Sequence, residues 1–566
     1  MYAFETFRDE VKKCLGKASG IAIEDKDLSV PPKPEMGDLS SSVAFRMKGN
    51  PKMNAEDIVK KISHSGAISK IKTAGPYINF FMDRNKFAEQ VAAQSQKEDY
   101  GSCETGKGKT IYFEYMQPNT NKPLHVGHLR NQVLGMAMAN CMNACGYKVI
   151  KGTISNDRGV AICKSMLGYQ KWGNGETPET AKIKPDHFVG KYYTMFVQEA
   201  AKQPELEKEA QQCLEKWEAG DKETRKLWKK MNDWFYEGVQ QTYDSLGTAF
   251  DIYDYESETY AQGKQLVMQN IGKVFKQDKD GSVFADLELY GLSNKVMLRA
   301  SGTAIYSTTD YVLAKMRFEK YHPDELIYLV GSDQNAYFSQ LLKIFELSGF
   351  KFASKCRHLS YGLVYLPEGQ MSSREGRVVT ADEVVNQIIA LASIETQKRD
   401  MASDVRETAR VIGTGALKFA ILKSNATKDV IFKKEDAVSF EGDTGPYLQY
   451  AYARCARILE KAGAKKAKDA HVDYSTLSKP EEQQLIRKLG EFPAVVKSAG
   501  TNHEIHTLCQ YLLDLVHTYS SFYENCPVLK AESKDLAAAR LELVKSVKNV
   551  LKHGLNLLGI EAPERM

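Results

Sequence analysis

The chain is 566 residues long, 43% apolar and 26% charged, with a formal net charge of +5, which suits two to four ordinary soluble domains and permits an anionic partner without requiring one. No eighteen apolar residues run together, so a membrane-spanning helix is excluded, and MYAFETFRDEVKKCLGK at the N-terminus mixes acid and base unlike a secretory leader; a cytoplasmic protein is expected. Ten scattered cysteines make no disulfide framework, and Cys141 and Cys145, the closest pair, have no companion pair at metal-ligand spacing, so no zinc is expected.

The first hundred residues read as a small α/β unit, with helical spacing over Phe4–Leu15 and Ala55–Ile62 before a strand-like TAGPYINFFM. Tyr77, Asn79 and Phe81 alternate along that strand and share one face. GSCETGKGKT, residues 101–110, has the punctuation of a linker, and the first domain is cut at residue 109. IYFEYM then reads as a buried strand, two prolines shape a loop, HLRNQVLGMAMANCMNACG carries helical spacing ending at Gly146, and YKVIKGTIS is a second strand. Strand, loop, helix, strand opens a doubly wound, Rossmann-type parallel sheet, for which LIYLVG and HLSYGLVYL supply further strands. A charged, helix-patterned insertion covers about residues 160–245. After about residue 390 the sequence is helix-patterned to its end. The expected architecture is therefore a small N-terminal α/β domain (1–109), a Rossmann-type α/β domain (110–390) and a C-terminal all-α helical bundle (391–566).

QPNTNKPLHVGHLRN, residues 117–131, lies where the loop becomes the helix. A helix N-terminus offers unpaired N–H groups and partial positive charge, a natural seat for phosphate. His125 and His128, at i and i+3, lie on one side of its first turn; Gly127 lets a flat ring approach the backbone, and Lys122 adds a full charge. These features suit a triphosphate carrying a purine. An arbitrary HxxH is more often a pair of capping residues, but the preceding buried strand and the flanking Asn119, Lys122 and Gly127 reverse that balance.

HVGH resembles the "HIGH" motif of class I aminoacyl-tRNA synthetases, and PNTNKPLHVGHLRN resembles the arginyl-tRNA synthetase family. The resemblance implies an arginine–tRNA ligase: ATP, accompanied by Mg2+, activates L-arginine to an adenylate, and the arginyl group passes to the tRNA for arginine. It implies that His125, His128 and Gly127 meet the ATP and that the histidines stabilise the transition state electrostatically. GQMSSREGRVV matches the mobile KMSKS loop, with Met371, Ser372 and Ser373 as ATP contacts; its second lysine is missing, Arg374 is the nearest base left, and Lys122 stands where the family supplies the lost charge.

For the substrate, a planar cation with five donors needs carboxylates in fork geometry. Tyr306 and Asp310, four apart and on one face if helical, match family positions that hold arginine, as do Gln334 and Glu256; Asn119 matches a contact to the α-amino end. In EGDTGPYLQYAYARCARILEK, Asp443 or Thr444 can cap a helix with Pro446 in its first turn, and Tyr447, Tyr450 and Arg454 form one stripe. Such a stripe is core more often than ligand site, yet this segment resembles the family's anticodon-binding bundle, with Tyr523 and the terminal Met566 as further tRNA candidates. The N-terminal unit resembles the additional domain that touches the corner of tRNA, which makes Tyr77, Asn79 and Phe81 candidates there. One stretch departs from the family: where many members have Gly-Asp-Trp-Gly, this chain has SNDRG, so Asn156, Asp157 and Gly159 keep the turn chemistry but no role of the tryptophan carries over. A monomer with no membrane partner is expected. The rivals are an RNA-binding protein that has lost catalysis and a class I ligase for another amino acid.

Overall fold

The computed structural model describes residues 1–64, 66–365, 367, 379–398, 404–463 and 472–566. The N-terminal region is an antiparallel sheet of β1 (Leu28–Ser29), β2 (Leu39–Ser41), β3 (Ile68–Ala74) and β4 (Tyr77–Met82), ordered β1-β2-β4-β3 and accompanied by helices Ala3–Ser19, Pro51–Lys61 and Arg84–Ser95. TAGPYINFFM, expected as one strand, is instead a hairpin: the chain turns at Gly75 and Pro76, and Ala74 pairs with Tyr77. Gly-Pro lacks one backbone donor and one side chain, which favours a turn over a continued ladder.

The central region holds β5 (Thr110–Glu114), β6 (Lys148–Ser155) and β7 (Ile252–Tyr255), a small antiparallel sheet of β8 (Phe275–Gln277), β9 (Val283–Ala285) and β10 (Lys295–Leu298), then β11 (Glu325–Gly331) and β12 (Cys356–Tyr361). The large sheet is parallel throughout, ordered β12-β11-β5-β6-β7. From β5 the chain moves outward to β6 and β7, then crosses back to β11 and β12 on the other side. The order therefore reverses between β5 and β11, where the carboxyl ends of an open parallel sheet part to form a crevice. HLSYGLVYL does not lie wholly in this sheet as expected. It breaks at Gly362, whose missing side chain lets it pass hard against the backbone of Lys428, and β13 (Val364–Tyr365) pairs with β14 (Val430–Ile431).

Apolar side chains alternate across this sheet. Ile111, Phe113, Ile327 and Leu329 join a large core shared with the helices on one side, whereas Tyr112, Leu326 and Tyr328 face a second core with Phe338, Ile344 and Phe345. Between β6 and β7 run the helices Val160–Trp172, Pro178–Ala181, Pro185–Ala200, Glu205–Glu218 and Lys222–Ser245. The long C-terminal helices are Ala381–Lys398, Val405–Leu422, Gly445–Lys461, Pro480–Asn502, Ile505–Asn525 and Lys534–Leu557, with a single turn at Lys434–Ala437. Pro480–Asn502 packs on the helix Val126–Ala144 and also against the N-terminal region, where Phe87 reaches Gly490 and the Tyr100 hydroxyl donates to Leu489 O at 2.9 Å. Among the described residues no helix is long and apolar enough to cross a membrane.

One ion group is built into the sheet. Glu114, at the end of β5, is 3% exposed, and its carboxylate pairs with Arg317 of the helix Tyr306–Tyr321. Arg317 also pairs with Asp254 of β7 at 2.7 Å and lies over the Tyr112 ring, 4.5 Å from its centroid. Breaking a buried pair leaves an uncompensated charge. Arg317→Leu is therefore expected to cost about 3–5 kcal/mol of folding stability in urea titrations; a loss below about 1 kcal/mol would show that these carboxylates need no partner.

Candidate active site

The loop after β5 and the first turn of Val126–Ala144 are held from several sides. Asn119 bridges to Asn156 beyond β6, the Thr120 N–H donates to Asn156 O at 3.2 Å, and Asn156 N–H donates to Pro118 O at 2.9 Å. Gly190 has no side chain to collide with Pro123, so the insertion helix lies directly on the Pro123 ring. Asn131 joins the carboxyl ends of neighbouring strands: its oxygen accepts from Met116 N–H at 2.8 Å, and its amide donates to Leu329 O at 2.8 Å and to Tyr361 Oη at 3.0 Å. The buried Arg130 donates to the carbonyls of Leu363, Ala426 and Lys428.

The two histidines cap this helix reciprocally. His125 Nδ1 accepts from Gly127 N–H at 3.1 Å, and the His125 N–H donates to His128 Nδ1 at 3.1 Å; the ring centroids are 3.9 Å apart. Burial, reinforced by the charge of Lys122, lowers His125 to about 4, and burial with His125 and Lys122 holds His128 well below the ordinary histidine value. Both rings are thus neutral at pH 7, and because each Nδ1 accepts, each Nε2 carries the proton as a donor. Lys122 is exposed at the same loop and does not line the cavity described next.

Above the switch point lies a cavity of about 1040 Å³ whose wall includes His125, Gly127 and His128 together with Asn119, Glu256, Tyr306, Asp310 and Gln334. Residues from four separate segments therefore converge on one space. Tyr306 opens the helix Tyr306–Tyr321, its hydroxyl accepting from Lys295 Nζ at 2.9 Å and its ring 5.0 Å from that of Tyr337. Asp310, one turn on, accepts from the Tyr337 hydroxyl. Burial and the nearby Glu114 raise Asp310 to about 7, against the pull of Tyr337 and Arg317. Burial likewise raises Glu256 to about 7 although Arg158 Nη1 lies 3.3 Å from its Oε1. The Gln334 amide donates to Asp333 at 2.7 Å, just past the end of β11.

Met371, Ser372, Ser373 and Arg374 lie outside the described residues. The segment that follows them returns to the histidines: Thr380 bridges to His125, and Ala381 N–H donates to Leu124 O at 2.8 Å. Next to it Asp382 accepts from Lys184 Nζ at 2.7 Å and from the Thr242 hydroxyl at 2.9 Å, and its carboxylate lies 2.8 Å from His187 Nε2, which ties the insertion to this helix start. Burial would raise Asp382, but His187, Lys184 and Thr242 hold it down to about 2. Asp186, His187 and Asp382 have the spacing of metal ligands, and Lys184, 3.4 Å from Asp186, already puts a cation among them.

Sequence reasoning missed Tyr337, Glu114 and Arg158 as parts of this wall. Tyr337 follows Gln334 by three residues, one helical turn, and Glu114 is a charge inside the apolar run IYFEYM, which signals a buried partner. Arg158 showed only as the departure at SNDRG.

The RNA candidates fall into separate groups. Arg454 lies over the rings of Tyr450 and Tyr523, 4.9 and 5.5 Å from their centroids, and both tyrosines are exposed. Tyr447 is half-buried with its ring 5.8 Å from His517, and Thr444 is the residue that caps this helix, accepting from Tyr447 N–H. Met566 is half-buried against the bundle core. On β4, Tyr77 is exposed and Phe81 half-buried beneath Lys72, but Asn79 is only 5% exposed, packed inside the sheet.

Three family models match the chain: the class I tRNA synthetase (R) catalytic domain over residues 90–434, the DALR anticodon binding domain over 448–566 and the arginyl tRNA synthetase N-terminal domain over 5–82. An arginine–tRNA ligase of Treponema denticola is 41% identical over 561 residues, covering 96% of this chain and 95% of that one. One of Bacteroides fragilis is 39% identical, covering 92% and 91%. The solved arginyl-tRNA synthetase of Thermus thermophilus superposes with a TM-score of 0.82 at 26% identity, covering 99% of this chain and all of that one. That of Plasmodium falciparum shares the fold, with a TM-score of 0.77 at 18% identity. Capped helix, switch-point cavity and helical C-terminal region thus sit in a chain matched from end to end, and the chain belongs to the arginyl-tRNA synthetase family of class I.

Proposed function

We propose that this protein is an arginine–tRNA ligase, joining L-arginine to the 3′ end of its tRNA with conversion of ATP to AMP and pyrophosphate. The observation that carries this reading is one cavity walled by both a helix start bearing neutral donors and two carboxylates, Glu256 buried and Asp310 half-buried. An arginine carboxylate oxygen attacks the α-phosphorus of ATP, the bond to the β-phosphate oxygen breaks, and pyrophosphate leaves. A terminal ribose hydroxyl of tRNA then attacks the adenylate carbonyl and AMP departs.

In this reading the Nε2 protons of His125 and His128, the helix N–H groups behind Gly127, and Lys122 face negative charge as it builds on the phosphates, with no reorganisation required. Met371, Ser372, Ser373 and Arg374 are assigned to the same ATP. Mg2+ accompanies ATP as its counterion. The histidines and Lys122 are donors and cations, suited to phosphate oxygens rather than to binding a metal themselves. Asp310, Glu256, Tyr306 and Gln334 are assigned to the arginine side chain and Asn119 to its α-amino end. Burial, together with Glu114 beside Asp310 and with Asp157 and Asp310 beside Glu256, disfavours the charge of each carboxylate until a guanidinium arrives. An uncharged isostere would leave those carboxylates unpaired, the kind of loss that yields strong discrimination.

For tRNA, the Tyr450–Arg454–Tyr523 group offers stacking faces and charge to unpaired bases, with Tyr447 and Met566 beside it on the bundle. Tyr77 and Phe81 of the N-terminal domain, residues 1–109, are assigned to the tRNA corner; Asn79 acts there by holding β4. The catalytic domain is assigned to 110–390 and the anticodon-binding domain to 391–566. The protein acts as a cytoplasmic monomer, a reading supported by a cavity completed within one chain.

Three outcomes test these assignments. Lys122→Ala is expected to slow arginine-dependent pyrophosphate exchange by about a hundredfold or more while arginine binding stays nearly intact; unchanged exchange would remove Lys122 from the phosphate site. The arginine KM should fall as pH rises from about 6 to 8, because affinity needs ionised carboxylates and both ionise near 7; Asp310→Asn should raise that KM and weaken its pH dependence, and an unaltered KM would displace Asp310 from the pocket. Tyr450→Ala with Arg454→Ala should weaken tRNA binding in filter assays by about tenfold or more, leaving ATP affinity unchanged; full affinity would return this group to a structural role.

A further inference from the structure

Arg158, in the stretch that departs from the family's tryptophan, is a permanent cation almost sealed from water: its side chain is 2% exposed. The turn that carries it is fixed from several sides. Asp157 Oδ1 accepts from Ser257 N–H at 2.8 Å and its Oδ2 from the Ser257 hydroxyl at 2.6 Å, while Asp157 O accepts from Trp228 Nε1 at 2.6 Å. From there the guanidinium reaches three elements at once. Nη2 pairs with Glu218 at the end of an insertion helix, Nη1 donates to Ala304 O at 3.2 Å just ahead of Tyr306, and Nη1 meets Glu256 Oε1 at 3.3 Å. Its plane lies over Tyr260, 4.5 Å from the ring centroid.

The consequence for Glu256 is asymmetric. Oε1 is held by Arg158, whereas Oε2 has no partner among the described residues, and Glu256 lines the cavity. Asp310 repeats the pattern: Oδ2 is taken by the Tyr337 hydroxyl and Oδ1 is left over. Two carboxylates, each clamped by one oxygen and open at the other, make a two-point acceptor for a fork-shaped cation. We propose that Arg158 is the positioning residue of the arginine subsite: by gripping one oxygen of Glu256 it aims the other at the cavity and so sets the affinity for the incoming guanidinium. This rests on the ligase reading above.

The charged groups facing Glu256 are Asp157 and Arg158 from the turn after β6 and Asp310 from the helix Tyr306–Tyr321, with Glu218 of the insertion on the other nitrogen of Arg158. Asp157 and Asp310 oppose its ionisation and Arg158 favours it, with burial the largest influence of all. Removing Arg158 therefore both frees the Glu256 side chain and pushes its ionisation to higher pH.

The test is pyrophosphate exchange by the full-length protein in the presence of tRNA, comparing wild type, Arg158→Gln and Arg158→Lys over about pH 6 to 9. Arg158→Gln is expected to raise the arginine KM about tenfold or more, the range of one hydrogen bond to a charged group, with kcat and the ATP KM little changed. The pH at which the arginine KM falls should move upward in Arg158→Gln and return toward wild type in Arg158→Lys, which restores the charge but not the fork. An arginine KM within about twofold of wild type would overturn the proposal, as would parallel losses in kcat and both KM values, the mark of a structural role. If wild type itself shows no arginine-dependent exchange, the ligase reading falls and this inference with it; normal wild-type exchange with an unmoved KM in Arg158→Gln defeats this inference alone.

Discussion

Glu114 ends the middle strand of the parallel sheet with its carboxylate shut away from water, and the guanidinium of Arg317 makes that position tolerable. The same compensation is repeated above it. Arg158 answers Glu218 and Glu256, and Lys295 reaches the Tyr306 hydroxyl at the cavity edge. Buried negative charge is unstable unless matched, so the wall of the cavity is organised as alternating carboxylates and cations. The acceptors left over face the open space. What distinguishes Asp310 and Glu256 from Glu114, whose two oxygens take Arg317 and the Gln117 amide, is that each keeps one oxygen without a partner among the described residues, and an unfinished pair is what a cationic ligand can finish.

The helix-start end of the cavity, proposed above to take the phosphates, follows the opposite logic. There the protein offers hydrogen-bond donors that are uncharged, because the buried imidazoles stay neutral and their Nδ1 atoms are occupied in capping the helix. Charge is carried by Lys122, exposed on the same loop and near enough to act on His125. Separating donors from charge avoids burying three cations beside one another, which would destabilise the loop in the absence of nucleotide. The carboxylate end and the phosphate end thus meet across one crevice, and the strand order places both at the carboxyl side of the sheet.

Much of this was legible in the sequence because local patterns specified it. IYFEYM, the loop and HLRNQVLG follow the expected strand-to-helix transition, and the His125–His128 spacing placed both rings on one turn. Tyr306 and Asp310 share a helix, so their spacing carried the geometry. Other features depended on contacts distant in the chain. The break at Gly362 reflects the close passage of Lys428, the hairpin at Gly75 reflects turn chemistry inside an apolar run, and the partners of Glu256 come from residues about a hundred positions away. Asn79 shares a strand face with Tyr77 and Phe81, as alternation requires, yet it is buried because β2 and β3 flank β4. Periodicity reports a face but not what covers it.

Lys184 carries a last consequence. Its ammonium occupies the space among Asp186, His187 and Asp382 where the donor set could hold a divalent ion, and this group fastens the insertion to the helix beginning at Ala381. A tethered ammonium cannot be stripped by a chelator, so this joint needs no ion drawn from solution. Its attachment to the rest of the chain is instead as permanent as the peptide backbone that carries the lysine.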